Sequence, residues 1–404
     1  VFLLYSVQAG NYLMFLITIP YLARVMGPSG WGLVAFTMTY ALYVKLIVEY
    51  GFDLAGTREV ARNRRDKSEL SSLIAGIFGA KILLALPLLA ASVIFQRVIP
   101  LFRDNPFLLW TGVFWAVSQS FNMNWYFRGF EKMNVVAAFT GTANLVFIFL
   151  VFIFIHQPDD GWKLFSILGV LAFLSAAIAM AIVYREVPFR LPRLGISLKA
   201  LKTGWSMFLF RGPINLYTMG NTFILGFFAP ANIVGYYGGI EKIVNSILRL
   251  FTPINETLFP RLTYQANAEK IDNSRIELIG GILMIGFGIA LGCVLFFSAP
   301  IAVRLLLGPE FKPAVSLMRT LSVLPPLTAL SNLFGIHRML PKGLDRQFNK
   351  IIVRAVILDV VLAVILAPRF AHFGMAWTLV AVEAFVAASM FLCLKTHKKS
   401  LKKI

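Results

Sequence analysis

The chain has 404 residues, 58% of them hydrophobic and 14% charged, with a net charge of +19 and a mean hydropathy of +0.76. That balance leaves too little polar surface to cover a soluble fold of this size, and it points to an all-α, polytopic membrane protein. The positive charge does not indicate a nucleic-acid partner, because the basic residues are spread over many short loops with no aromatic-interleaved basic patch.

Apolar runs of about 20 residues, long enough to cross a bilayer as helices, recur along the whole length. Twelve spans are predicted, at 1–23, 33–53, 73–95, 107–126, 135–155, 163–184, 205–228, 233–255, 278–299, 315–336, 350–368 and 372–394. Val1 already lies inside the first run, so the natural start and any short basic leader are expected to precede it. No cleavable signal sequence is visible, which suits direct insertion of the first span.

The loops differ sharply in charge. The even-numbered loops and the tail carry Arg58, Arg62, Arg64, Arg65 and Lys67, then Arg128 and Lys132, then Arg185, Arg190, Arg193, Lys199 and Lys202. They continue with Arg261, Lys270 and Arg275, with Arg338, Lys342, Arg346 and Lys350, and with Lys395, Lys398, Lys399, Lys402 and Lys403. The odd-numbered loops hold only Arg24, Arg97, Arg103, Lys163, Arg304, Lys312 and Arg369. By the positive-inside rule both termini are expected in the cytoplasm.

Two cytoplasmic segments carry more pattern than a plain loop. Residues 56–70 are predicted to form a basic helix on the membrane surface. Pro188 to Leu201 mixes apolar and basic residues as an interfacial linker would. The expected division is a six-helix bundle at 1–187, a linker at 188–204, and a second six-helix bundle with a basic tail at 205–404.

A weak internal repeat supports that division. The turn Met26-Gly-Pro-Ser-Gly-Trp-Gly32 resembles Phe228-Ala-Pro-Ala-Asn-Ile-Val-Gly235, about half the chain later, and each precedes a long helix with an intramembrane lysine, Lys45 and Lys242. Six spans per half give both halves one orientation, a parallel repeat, and such pairs enclose a site near the bilayer middle.

Charges at membrane depth cost roughly 2.5–3.5 kcal/mol each on insertion scales, so they are kept mainly where a cavity or partner uses them. Arg211, Asn215, Thr218 and Thr222 share one wedge of span 7, and Lys242, Asn245 and Arg249 one wedge of span 8, with Glu241 beside them. Span 2 aligns Lys45, Glu49 and Asp53 at four-residue intervals, and span 1 offers Gln8 and Asn11. Lys81, Arg354, Asp359 and Glu383 add single charges to spans 3, 11 and 12. Most of these positions fall in the cytoplasmic half of their spans, as a vestibule wetted from inside would require. Lys45, Arg211, Lys242 and Arg249 suit a phosphate-bearing substrate, Arg as a bidentate donor and Lys as a point charge. Glu383 suits proton or Na⁺ coupling. The plainer reading makes Lys45 with Glu49, and Glu241 with Asn245, helix-packing pairs, with Arg211 snorkelling to the interface.

No phosphate loop, His-Glu-x-x-His pair or nucleophile elbow is present, and the outer loops are too short to hold an acceptor. The chain is therefore read as a non-enzyme without a cofactor or metal. Cys293 and Cys393 are expected to be small apolar core residues. Pro20, Pro87, Pro213, Pro253 and the Pro325-Pro326 pair are predicted to kink their spans.

Several segments together resemble the Wzx-type polysaccharide flippases, the polysaccharide-transporter branch of the multidrug/oligosaccharidyl-lipid/polysaccharide exporter superfamily. They are Tyr21-Leu-Ala-Arg-Val-Met-Gly-Pro-Ser-Gly-Trp-Gly32, Tyr50-Gly-Phe-Asp-Leu-Ala-Gly-Thr-Arg-Glu-Val-Ala-Arg62 and Asn124-Trp-Tyr-Phe-Arg-Gly-Phe-Glu-Lys-Met133, with Leu258-Phe-Pro-Arg-Leu262 and Leu307-Gly-Pro-Glu-Phe311 in the second half. The resemblance implies alternating access and movement of an undecaprenyl-pyrophosphate-linked oligosaccharide across a bacterial inner membrane. It implies a lipid-linked oligosaccharide and membrane lipids as partners, with a polysaccharide polymerase and a chain-length regulator beside them. On that reading Lys45, Arg211, Lys242 and Arg249 hold the pyrophosphate and Asn11, Asn215 and Asn245 the glycan. An H⁺ or Na⁺ gradient would act through Glu383, Asp359, Glu241 or Glu49. The alternatives are a multidrug cation/H⁺ antiporter of the same fold, disfavoured by so basic a set of polar residues, and a non-transporting scaffold of polysaccharide assembly.

Overall fold

The computed structural model describes the backbone of residues 2–267 and 273–401, and the side chains of 17–205, 207–209, 220–260, 262–264 and 279–397. Among the described residues every regular element is helical. The chain forms two compact units, 1–227 and 228–404.

The first unit opens with α1 (Phe2–Glu49), which turns at Gly27. Gly27 has φ 62 and ψ −179, a conformation open to glycine and strained for residues with a Cβ. The following Pro28 cannot donate to the preceding turn, so one apolar stretch becomes two helical limbs. The second limb buries Trp31, Phe36, Tyr40, Val44 and Val48. It stops where Tyr50 and Gly51 both take positive φ, 46 and 74.

The chain then turns into α2 (Phe52–Arg62), which buries Phe52, Ala55, Gly56 and Val60. The surface helix expected over 56–70 is thus shorter and earlier. It ends at Arg62 with Asn63 as its cap, and Asp66 then accepts from the Ser68 and Glu69 amides at 2.9 and 3.0 Å and so caps α3 (Lys67–Val98). α4 (Pro100–Arg103), α5 (Pro106–Ser120), α6 (Asn124–Gly129), α7 (Met133–Phe154), α8 (Gly161–Glu186) and α9 (Leu194–Gly226) complete the unit. α5 packs on α8 and α1, α3 on α9, and α2 on α6. The segment expected as an interfacial linker, Pro188–Leu201, runs without a break from Leu194 into α9. Gly76 and Gly79 of α3 let Ile196 and Ser197 approach closely.

The second unit holds α10 (Ala231–Leu248), α11 (Phe251–Asn267), α12 (Asn273–Leu306), α13 (Val315–Leu321), α14 (Leu324–Phe334) and α15 (Asp345–Leu401). Two of the spans expected to kink at proline are broken there outright. Span 8 divides at Arg249–Leu250, because the ring of Pro253 would clash with the carbonyl four residues earlier. Span 10 divides between Leu321 and Leu324, where Pro325 and Pro326 exclude a continuous helix for the same reason. A π-helical turn, Gly335–Met339, follows. α15 contains both limbs of the last hairpin and bends at Ala371, φ 47 and ψ −126.

Six stretches of the described residues are long and apolar enough to cross a bilayer: Ile17–Arg62, Lys67–Val98, Met133–Phe154, Gly161–Glu186, Ile279–Leu306 and Asp345–His397. Their outer faces expose Leu145, Phe149, Phe173, Ile178, Phe297 and Ile301, a surface that only lipid covers at low cost. The protein is a multi-pass helical membrane protein. Cys293 is exposed on that outer face beside Val294 and Phe297 rather than packed in a core, and Cys393 is partly exposed.

Candidate functional site

Among the described residues, Lys45, Glu49 and Lys81 gather where α1, α3 and α5 meet. Lys81, in the middle of the apolar run of α3, is 1% exposed. Its Nζ donates to the Ser120 carbonyl at 2.5 Å and lies 5.9 Å from the centre of the Phe121 ring. Ser120 ends α5, so its carbonyl is one of those that a helix terminus leaves without an intrahelical donor, at the negative end of the helix dipole. A buried cation costs several kcal/mol unless it is paired. Glu49 and Asp53 lie within electrostatic reach of Lys81 with opposite sign, and Lys45 with the same sign. Asp53 in turn meets Arg128 of α6 at 3.5 Å.

This arrangement changes the sequence picture in one respect. Lys45 and Glu49 do lie one turn apart at the end of α1, but Asp53 is not the next residue on that face. The two positive-φ residues Tyr50 and Gly51 separate it, and it belongs to α2. Lys81 and Arg128 are the partners that the residue pattern missed. The available signal for Lys81 was its isolation within Ile77-Phe-Gly-Ala-Lys-Ile-Leu-Leu84.

In the second unit α10 carries Glu241 and Lys242, both partly buried, and Asn245, which is exposed. Arg249 is exposed and caps the helix, its amide donating to the Asn245 carbonyl at 3.1 Å. Glu241 attracts Lys242 and Arg249 repels it, so these three charges act on one another. Ser246 points its hydroxyl to the Lys242 carbonyl at 2.8 Å. On α15, Asp359 is buried and Glu383 partly buried, and both are engaged with neighbours. Asn11, Arg211 and Asn215 lie outside the described side chains.

Outside the spans, ion pairs tie the short connections together. Arg64 donates to Glu131 at 2.6 Å and to the Gly129 carbonyl at 2.8 Å, and its hydrogen bond and charge hold the Glu131 carboxyl below the usual range. Lys132 meets Glu186 at 3.2 Å. At the other end of α8, the Asp160 carboxylate accepts from Lys163 at 2.6 Å and from the amides of His156 and Gln157 at 2.9 and 3.0 Å. Burial alone would raise its pKa, yet these donors outweigh it and the net shift is downward.

Residues 1–266 match the family described as polysaccharide biosynthesis protein. The chain belongs to that family. Two relatives extend the likeness to full length, and both carry the name "Putative O-antigen transporter". The one from Escherichia coli (strain K12) is 29% identical over 404 residues, covering 97% of this chain and 95% of the relative. The one from Shigella dysenteriae is 25% identical over 401 residues, covering 98% and 99%. Among solved structures, the lipid II flippase MurJ in an inward closed conformation matches with a TM-score of 0.71 at 12% identity, over 97% of this chain and 87% of that one. An outward-facing multidrug resistance MATE family transporter matches with a TM-score of 0.52 at 16% identity, over 96% and 93%. At those identities the structural likeness speaks for the fold of this family member and not for its cargo.

Proposed function

We propose that the protein is a flippase that carries an undecaprenyl-pyrophosphate-linked oligosaccharide, an O-antigen or related repeat unit, across the bacterial inner membrane by alternating access. What carries this reading is the end-to-end match to two proteins named as O-antigen transporters. The basic loop asymmetry orients both termini to the cytoplasm on this reading, with 1–187 and 205–404 as repeat-related halves joined by 188–204. Lys45, Arg211, Lys242 and Arg249 hold the pyrophosphate, because cations at membrane depth compensate an anionic headgroup that would otherwise be desolvated. Asn11, Asn215 and Asn245 bind the glycan. Glu383, Asp359, Glu241 and Glu49 are the groups through which an ion gradient drives the cycle. A polysaccharide polymerase and a chain-length regulator receive the product at the outer face.

The test is translocation of a fluorescent undecaprenyl-pyrophosphate oligosaccharide by the purified chain in liposomes, paired with complementation of a flippase-deficient strain. Translocation by the wild-type chain is expected, and its absence in folded, monodisperse protein leaves a scaffold role instead. Arg211→Ala and Arg249→Ala are expected to lose it. Wild-type flipping at normal expression by these variants removes both residues from the headgroup site.

A further inference from the structure

The first three turns of α15 carry a feature that the cargo site does not use. Arg346, Lys350 and Arg354 follow one another at four-residue intervals and are all exposed. With Asn349 and Val353 they form one open face of the helix. Among the described residues none of the three cations forms an ion pair, whereas Arg58, Arg62, Arg64, Arg128 and Lys132 in the first unit all do. The next acid along the helix, Asp359, is buried and lies about 140° around the helix from Arg354.

The same helix face continues as aliphatic surface. At 100° per residue, Val353 sits between Lys350 and Arg354 and Ile357, Val361 and Val364 stack above the cations, and the four are 49%, 60%, 48% and 48% exposed. Three cations thus span about 12 Å along the axis, at 1.5 Å per residue, and then give way to a strip of branched aliphatic side chains. A phospholipid has this pattern, an anionic headgroup followed by acyl chains. A soluble anion would leave the aliphatic strip uncovered, and a protein partner would need carboxylates beside apolar side chains at membrane depth, which is costly.

We propose that this face of α15 binds an anionic phospholipid of the surrounding bilayer, with the headgroup phosphate on Arg346, Lys350 and Arg354 and an acyl chain along Val353, Ile357 and Val361. The site lies at the end of α15 that the loop charges assign to the cytoplasm, where the leaflet itself is anionic. It is independent of what the protein translocates. Each cation near an anionic headgroup favours binding about five-fold, so three give a preference on the order of a hundredfold over a zwitterionic lipid.

The full chain in detergent, titrated with dioleoyl phosphatidylglycerol or dioleoyl phosphatidylcholine and followed by native mass spectrometry, tests this. The wild type is expected to retain phosphatidylglycerol preferentially, and Arg346→Gln/Lys350→Gln/Arg354→Gln to lose that preference. Arg58→Gln/Arg62→Gln/Lys132→Gln removes the same net charge from paired positions and is expected to keep it. Should the first triple variant fold poorly, Lys350→Gln alone is expected to weaken retention about five-fold. Equal retention of both lipids by the wild type, unchanged preference in the triple variant or in folded Lys350→Gln, or full displacement by soluble pyrophosphate at the lipid's own concentration each overturns the proposal.

Discussion

The ammonium of Lys81 and the carbonyl of Ser120, 39 residues apart, meet at 2.5 Å and fasten α3 to the end of α5. The bond does two things at once. It satisfies a helix-terminal carbonyl, and it keeps a buried cation within reach of Glu49 and Asp53. Removing the amine leaves that carbonyl without its donor at a cost of about 1–3 kcal/mol, and removing the stem as well adds a cavity. Lys81→Met is therefore expected to lower thermal stability in detergent by that first amount, and Lys81→Ala by clearly more. Equal melting temperatures for wild type and Lys81→Ala would show that the contact contributes nothing.

Gly56 of α2 faces Trp125 of α6 so closely that an added Cβ would lie 2.6 Å from the ring carbon Cε3. Overfilling such a contact costs about 1–3 kcal/mol, so Gly56→Ala is expected to destabilise the first unit by that amount. The Trp125 indole nitrogen has no hydrogen-bond partner among the described residues, so Trp125→Phe removes bulk without breaking a polar contact seen there. Gly56→Ala/Trp125→Phe is expected to melt above the sum of the two single effects, and strict additivity argues against the clash.

For transport, Lys45 and Lys242, which the proposed repeat would place at corresponding positions, make the sharpest comparison. A charge-assisted contact to phosphate contributes about 1.5–3 kcal/mol, which is roughly ten- to a hundred-fold in rate or affinity. Lys45→Gln and Lys242→Gln are each expected to lower translocation of the proposed pyrophosphate-linked cargo by at least about ten-fold, while Lys242→Arg retains most of it. A full loss in Lys242→Arg alongside normal activity in Lys242→Gln would mean that shape, not charge, matters there.

Class and fold were legible because long apolar runs recur along the whole chain. The internal breaks were legible only in part. Pro253 and the Pro325-Pro326 pair do mark the interruptions, but hydropathy stays high on both sides of Arg249–Leu250 and Ser322–Val323, so a window average reads through them. The separation of Asp53 from Lys45 rests on Tyr50, a residue that rarely takes φ 46. Only the neighbouring Gly51 signalled it. The partners of Lys81 could not be read at all, because a contact across 39 residues is a property of packing, and a lone lysine in an apolar run looks the same whether it is paired or snorkelling.

Asp160 provides a test that is independent of cargo. Its carboxylate gathers Lys163 and the amides of His156 and Gln157 between α7 and α8, and its pKa is lowered from the ordinary 3.8. A carboxyl whose native pKa is depressed contributes stability that is fully present above the unfolded value and disappears as the pH falls through the native one. Near neutral pH, Asp160→Asn is accordingly expected to cost about 1–2 kcal/mol, since an amide accepts more weakly and leaves Lys163 without its counter-charge. Between about pH 5 and 8 that difference should hold constant, and below about pH 4 it should shrink as wild-type Asp160 takes up its proton. Melting curves of both proteins across pH 3 to 8 measure it directly. A gap that widens with acid would mean that the carboxylate is a burden on the native loop, its burial outweighing the three donors.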